Sequence, residues 1–318
     1  MAGSEGPRGP DTAHVGAAST LGEMDKSFSV DASSNASPER ETGCVEHLGV
    51  AMSSLLHGYH ARANGVRLHL LRFGGRGPRM LLLPGITSPA ITWGFVAERL
   101  ARHFDVHVLD FRGRGLSSSA PGMDASLDAM ASDVLDLMDV QGWSSVTLLG
   151  HSMGARVAIR ATARDARRID RLVLVDPPVS GPGRRPYPVP LPWYVDSIQM
   201  AIKGVTADEL RPYAPTWTDE QLQLRAEWLH TCSEEAVMQA HAGFHCDDIH
   251  ADLAKLQTPG LLMTAGRGGV VLAEDLAEIQ TLAPNLLQRT VSGAGHMIPW
   301  DDEVNFYRLL GEYLKVDL

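Results

Sequence analysis

Short apolar runs alternate with amphipathic stretches along most of this chain. Met80 to Leu83, Val106 to Leu109, Val146 to Leu149 and Arg171 to Val175 are compact and largely aliphatic. The intervening stretches 91–103, 126–140 and the one starting at Met153 carry apolar residues at helical spacing. Continuous apolar strands separated by helices predict a parallel sheet covered on both faces. Ahead of this pattern, residues 58–63 and 67–72 flank Asn64-Gly65. That dipeptide supplies the positive φ angles of a tight turn, so the sheet is expected to open with an antiparallel hairpin.

From about Pro177 to Leu256 the alternation stops. A Pro-rich loop, 182–190, leads into helical stretches without strands. Thr206-Ala207-Asp208-Glu209 and Thr218-Asp219-Glu220-Gln221 are capping-box patterns, in which the Thr oxygen and the third residue's side chain satisfy each other's backbone donors. This region is expected to form a helical cap inserted into a core made of 53–176 and 257–318. The strand and helix pattern then resumes with Leu261 to Ala265, a helix over 272–282, a strand over 287–291 and a last helix over 302–314. Residues 1–52 are rich in Gly, Ser, Ala, Pro and acids, with no apolar stretch long enough for a signal or a membrane span. They are expected to be a disordered, dispensable extension, or translation to start at Met52.

The 318 residues suffice for one α/β domain with an insertion. A net charge of -10 argues against nucleic acid and acidic membrane surfaces as partners, since both require clustered Lys and Arg. Cys44, Cys232 and Cys246 are widely spaced and form no C-x-x-C pair, which indicates neither a disulfide framework nor a thiolate metal site. A reducing cytoplasm is expected.

The chemistry concentrates at Gly150-His151-Ser152-Met153-Gly154, between the strand 145–149 and the helical 155–159. A strand, sharp turn and helix in that order form a nucleophile elbow, with glycines where the backbone must bend tightly. Ser152 is therefore the candidate nucleophile. A serine hydroxyl needs an imidazole to take its proton and an acid to orient that imidazole. Among thirteen histidines, His296 in Gly293-Ala294-Gly295-His296 follows the last strand and precedes the last helix, where a loop at the sheet edge is expected. The turn after the 261–265 strand, Gly266 to Val270, holds no carboxylate. Asp176, at the carboxyl end of the strand beside the elbow, is thus the candidate acid, with Glu274, Asp275, Asp301 and Asp302 as rivals. Backbone N–H groups of Met153 and Ile86 are the expected oxyanion donors.

With Ser152, Asp176 and His296 in that order, the chain resembles the α/β-hydrolase superfamily from about residue 55 onward. Residues 84–94, 112–119, 176–185, 191–198 and 295–302 further resemble the deformylase branch of that superfamily, and they include part of the variable cap. The resemblance implies the α/β-hydrolase fold, a mostly parallel eight-stranded sheet with helices on both faces and a helical cap. It also implies hydrolysis of N-formylmaleamate to maleamate and formate through a formyl-enzyme, with a Ser152, His296 and Asp176 triad and no metal or organic cofactor. A small anionic amide substrate calls for an arginine fork. Arg184 and Arg185, beside Tyr187 and Trp193, are the leading candidates, with Arg156 and Arg267 as alternatives. The same triad would equally serve a carboxylesterase or another small acylamino-acid hydrolase. A ligand-binding protein of the same fold is the reading from outside enzymes. His241 and His245, four apart, are read as structural or pocket-lining rather than as metal ligands.

Overall fold

A computed structural model describes residues 53–318; the expectations for 1–52, and for Cys44, fall outside the described residues. In chain order the strands are β1 (Leu55–Ala63), β2 (Val66–Phe73), β3 (Arg79–Leu83), β4 (Asp105–Asp110), β5 (Val146–His151), β6 (Ile169–Val175), β7 (Gly260–Ala265) and β8 (Leu286–Val291). The helices are α1 (Gly94–Leu100), α2 (Leu127–Val140), α3 (Met153–Arg164), α4 (Leu191–Ile202), α5 (Ala207–Leu210), α6 (Asp219–Trp228), α7 (Glu234–Cys246), α8 (His250–Leu253), α9 (Ala273–Leu282), α10 (Ile298–Asp301) and α11 (Glu303–Leu314).

The strands form one eight-stranded sheet in the order β1-β2-β4-β3-β5-β6-β7-β8. β1 with β2, and β2 with β4, run antiparallel; every other pair is parallel. The hairpin turns at Asn64 and Gly65, both with positive φ, and the Asn64 amide donates to Asp133 of α2 at 3.0 Å.

Alternation along β3 separates the two sides of the sheet. Leu81 and Leu83 join a core shared with Val134, Leu137, Val157 and Ile279, from α2, α3 and α9. Met80 and Leu82 join a second core with Val96, Leu100, Phe306 and Leu310, from α1 and α11. Burial on both faces is why these strands read as unbroken apolar runs. Ahead of α1 the chain makes a single 3-10 turn over Ala90–Trp93, where the Thr92 hydroxyl donates to the Pro89 carbonyl at 2.7 Å.

Between β6 and β7 the described chain is helical. Both capping boxes are formed, at Thr206 with Glu209 and at Thr218 with Gln221. Arg156 of α3 fastens this segment: its guanidinium donates to the carbonyls of Pro178, Ser180, Gly243 and Asp247. Tyr194, Ile198, Leu229, Val237 and Phe244 of this segment join the core on the α2–α3 side of the sheet.

Candidate active site

The parallel strands β3, β5, β6 and β7 end together, and the site is built from the turns that follow them. Ser152 sits between β5 and α3 with φ 55° and ψ −118°, a backbone conformation that L-residues rarely adopt. Such residues cost on the order of 1–3 kcal/mol and persist only when their surroundings force them. Two observations explain the force. A Cβ on Gly154 would lie 1.9 Å from the Leu83 carbonyl oxygen, and one on Gly150 would lie 2.5 Å from that of Gly154. The elbow is therefore clamped against the end of β3, and only glycine fits at either side of the turn.

The Ser152 hydroxyl donates to His296 Nε2 at 3.0 Å, and His296 Nδ1–H donates to Asp176 Oδ2 at 2.7 Å. Asp176 is fully buried. Its carboxylate also accepts from the Val270 amide at 3.0 Å. That amide belongs to the Gly-rich turn after β7, where a Cβ on Gly269 would stand 3.0 Å from Asp176 Oδ1. The turn that carries no acid of its own thus wraps round the acid contributed by β6. Asp301, a sequence rival, instead accepts from the Gly295 amide at 3.0 Å and from the Thr216 hydroxyl at 2.6 Å, steadying the loop that carries His296. Glu274 and Asp275 face Arg185, and Asp302 caps α11 through the Asn305 amide.

A second imidazole lies under the first. His151 is 1 % exposed, and its Nε2–H donates to the His296 carbonyl at 3.0 Å. Burial, reinforced by the neighbouring His296, holds its pKa down to about 3, so it stays neutral.

The Met153 and Ile86 amides have no protein acceptor among the described residues. Met153 N–H opens α3, and Ile86 lies in the turn after β3. Two guanidiniums hold this turn, that of Arg114 buried and that of Arg225 half-buried. Arg114 donates to the Ile86 carbonyl at 3.1 Å and Arg225 to the Thr87 carbonyl at 2.8 Å. A carbonyl tied to a guanidinium is fixed in orientation, so these two cannot swing round to take up the neighbouring amides of the turn.

Ser152 and His296 open into a cavity of about 820 Å³ walled by Ile86, Val189, Trp193, Tyr194, Trp217 and Leu229, among others. Residues 80–308 match the alpha/beta hydrolase family. The chain belongs to that family. It is also similar to an N-formylmaleamate deformylase of Pseudomonas putida, at 56% identity over 83% of this chain and 98% of that protein. Among solved structures it resembles a serine-to-alanine variant of an N-formylmaleamic acid deformylase from another Pseudomonas putida strain, with TM-score 0.77, 57% identity and coverage of 80% of this chain and all of that one. An E-2-(acetamidomethylene)succinate hydrolase shares the fold at 22% identity, with TM-score 0.67 over 82% of this chain and all of that one.

The substrate-binding candidates divide. Trp193 lines the cavity. Tyr187 stands behind the wall, its hydroxyl 2.8 Å from that of Tyr194. Arg184 and Arg185 do not line the cavity. Arg184 forms a fork with Glu278 at 2.7 and 2.8 Å, and Arg185 meets Glu274 at 3.0 Å and Asp275 at 2.8 Å, all on α9. Their charges are spent on that helix. The arginines that line the cavity are Arg225 and Arg267; the first was not singled out from the sequence, because in Asp219-Glu220-Gln221-Leu222-Gln223-Leu224-Arg225 it reads as an ordinary helix-surface charge. His241 donates to the Val189 carbonyl at 2.9 Å.

Proposed function

We propose that this protein hydrolyses N-formylmaleamate to maleamate and formate, with Ser152 as nucleophile. The observation that carries the reading is the unbroken chain of hydrogen bonds from Ser152 through His296 to buried Asp176 at the base of the cavity. The similarity to deformylases over nearly their whole length supplies the substrate. Ser152 Oγ attacks the formyl carbon while His296 Nε2 takes the hydroxyl proton, and Asp176 stabilises the resulting imidazolium. The formyl oxygen becomes an oxyanion between the Ile86 and Met153 amides. His296 then returns the proton to the departing nitrogen, the C–N bond breaks and maleamate leaves. The second acyl group on that nitrogen delocalises its negative charge, so expulsion is easier than from a simple peptide. Water, deprotonated by His296, attacks the formyl ester; formate departs and Ser152 regains its proton.

In this reading the helical segment 177–256 is a cap that roofs the cavity. Cys232 and Cys246 are both free thiols, in keeping with the cytoplasm. No helix among the described residues is long and apolar enough to cross a membrane. The same hydroxyl and imidazole would also open short esters that enter this cavity, a second activity for the one relay. The test measures formate released from N-formylmaleamate beside a panel of p-nitrophenyl esters, with Ser152→Ala as the blank. Formate release abolished in the blank supports the deformylase; ester turnover without formate release replaces it with an esterase.

A further inference from the structure

Arg225 is out of place in its surroundings. It lies on α6, half-buried, in a cavity wall made mostly of apolar and aromatic side chains. Arg114 and Arg156, the fully buried arginines nearby, are by contrast taken up by carbonyls. Arg225 makes two hydrogen bonds, both to Thr87: Nη1 to the carbonyl at 2.8 Å and Nη2 to the hydroxyl at 3.2 Å. No carboxylate among the described residues lies within ion-pairing distance of it. The titratable groups that face it are the Cys232 thiol and the Tyr194 hydroxyl, both neutral at physiological pH, and burial lowers its pKa. A guanidinium offers five donors in a plane. Here several remain free, on a charge that nothing nearby balances. A cation drawn part-way out of water without a counter-charge bears some of that desolvation cost, and an anion delivered into the cavity would relieve it.

We infer that Arg225 is the specificity-determining residue that receives the substrate's carboxylate, a fork held ready by Thr87. The inference rests on the deformylase reading and adds the element that reading lacks. Thr87 follows Ile86, so a carboxylate on Arg225 is held next to the loop that would bind the formyl oxygen. That fixes which of the two carbonyls on the imide nitrogen faces Ser152: with the acid end on Arg225, the distal formyl group is the one presented. Arg267 also lines the cavity, but it is exposed at the surface, where water competes for an anion and weakens the pairing.

A purely structural Arg225, serving only to brace Thr87, predicts something different from a carboxylate fork. Loss of the brace would lower turnover of every substrate alike. Loss of the fork would fall on anionic substrates. In Arg225→Met, kcat/KM for N-formylmaleamate is expected to drop about 10- to 100-fold further than kcat/KM for p-nitrophenyl acetate, mainly through KM, as loss of a charge-assisted pair requires. Arg225→Lys, keeping the charge without the fork, should recover part of the difference. A second measurement does not depend on deformylation. Maleamate keeps the carboxylate, so it should inhibit p-nitrophenyl acetate hydrolysis competitively in the wild type and at least tenfold more weakly in Arg225→Met. Equal losses for both substrates, or maleamate inhibition that is absent or unchanged by the substitution, would overturn the assignment. Failure of the wild type to release formate would instead remove the deformylase reading, and the inhibition measurement would still decide Arg225.

Discussion

Gly154→Ala tests whether the clamp between the elbow and β3 sets the catalytic geometry. The added methyl would start 1.9 Å from the Leu83 carbonyl oxygen and 2.5 Å from that of Pro84. Both are backbone atoms at the end of a central strand, so no side chain can rotate away. Reaching a tolerable contact near 3 Å needs α3 and the β3 turn to separate by about 1 Å, and overpacking of this kind costs about 1–3 kcal/mol of stability. The separation falls between the two amides proposed to hold the oxyanion, Met153 on α3 and Ile86 on the turn. A misplacement of about 1 Å in a catalytic site costs about 100-fold in rate, or roughly 2.7 kcal/mol of transition-state stabilisation. Gly94→Ala is the matched control: its Cβ meets nothing within 4 Å and its φ is −52°, so it should be neutral or slightly stabilising. The assay is kcat for formate release, read beside urea unfolding to show that each variant is folded at the assay temperature. A folded Gly154→Ala enzyme with kcat within about threefold of wild type would refute the reasoning.

Asp176→Asn keeps the shape of the acid but removes the charge that stabilises the His296 imidazolium; kcat should fall by about 10⁴-fold at neutral pH, and a loss below tenfold would move the acid's role elsewhere. Stability should also depend on pH through His151. Its imidazole ionises near the ordinary value of about 6.5 in the unfolded chain and only near about 3 when folded. The unfolded state therefore binds the extra proton first, so this contribution is complete above pH about 6.5 and is lost as pH falls toward 3, at up to about 1.4 kcal/mol per pH unit. His107, held at about 4 by burial, acts in the same direction. Urea midpoints measured from pH 7 to pH 4.5 should show a shallower slope in His151→Leu than in wild type, and identical slopes would refute the assignment.

The layout of the sheet was legible because burial on both faces leaves a strong mark. Leu81 to Leu83 and Val146 to Leu149, with Thr147 their one polar member, lack the strict alternation of a surface strand, and α2 between them carries an apolar stripe. The elbow was legible for a related reason: its glycines are demanded by backbone contacts of 1.9 and 2.5 Å, so they stand at fixed offsets from Ser152. Asp176 could be reached by noticing that the turn after β7 lacks an acid. What the sequence did not disclose is why that turn is rich in glycine: Gly269 leaves room for a carboxylate arriving from the neighbouring strand, and Val270 donates to it.

Charged side chains away from the elbow followed a different logic. Arg184 and Arg185 sit next to the acid-bearing strand and beside aromatics, which made them attractive as a clamp. Their fate is decided by Glu274, Asp275 and Glu278, some ninety positions later, which line one side of α9 and take up both guanidiniums. Arg225 gave no local signal, since an arginine in an acidic, capped helix is the ordinary composition of a solvated face. Whether an arginine is spent or free depends on which acids the fold brings to it, a property of tertiary contact rather than of spacing. The proposed relay of Ser152, His296 and Asp176 would make acyl transfer competent for many acyl groups, and an unneutralised cation in a largely apolar wall is what would turn that general competence toward a small anionic amide.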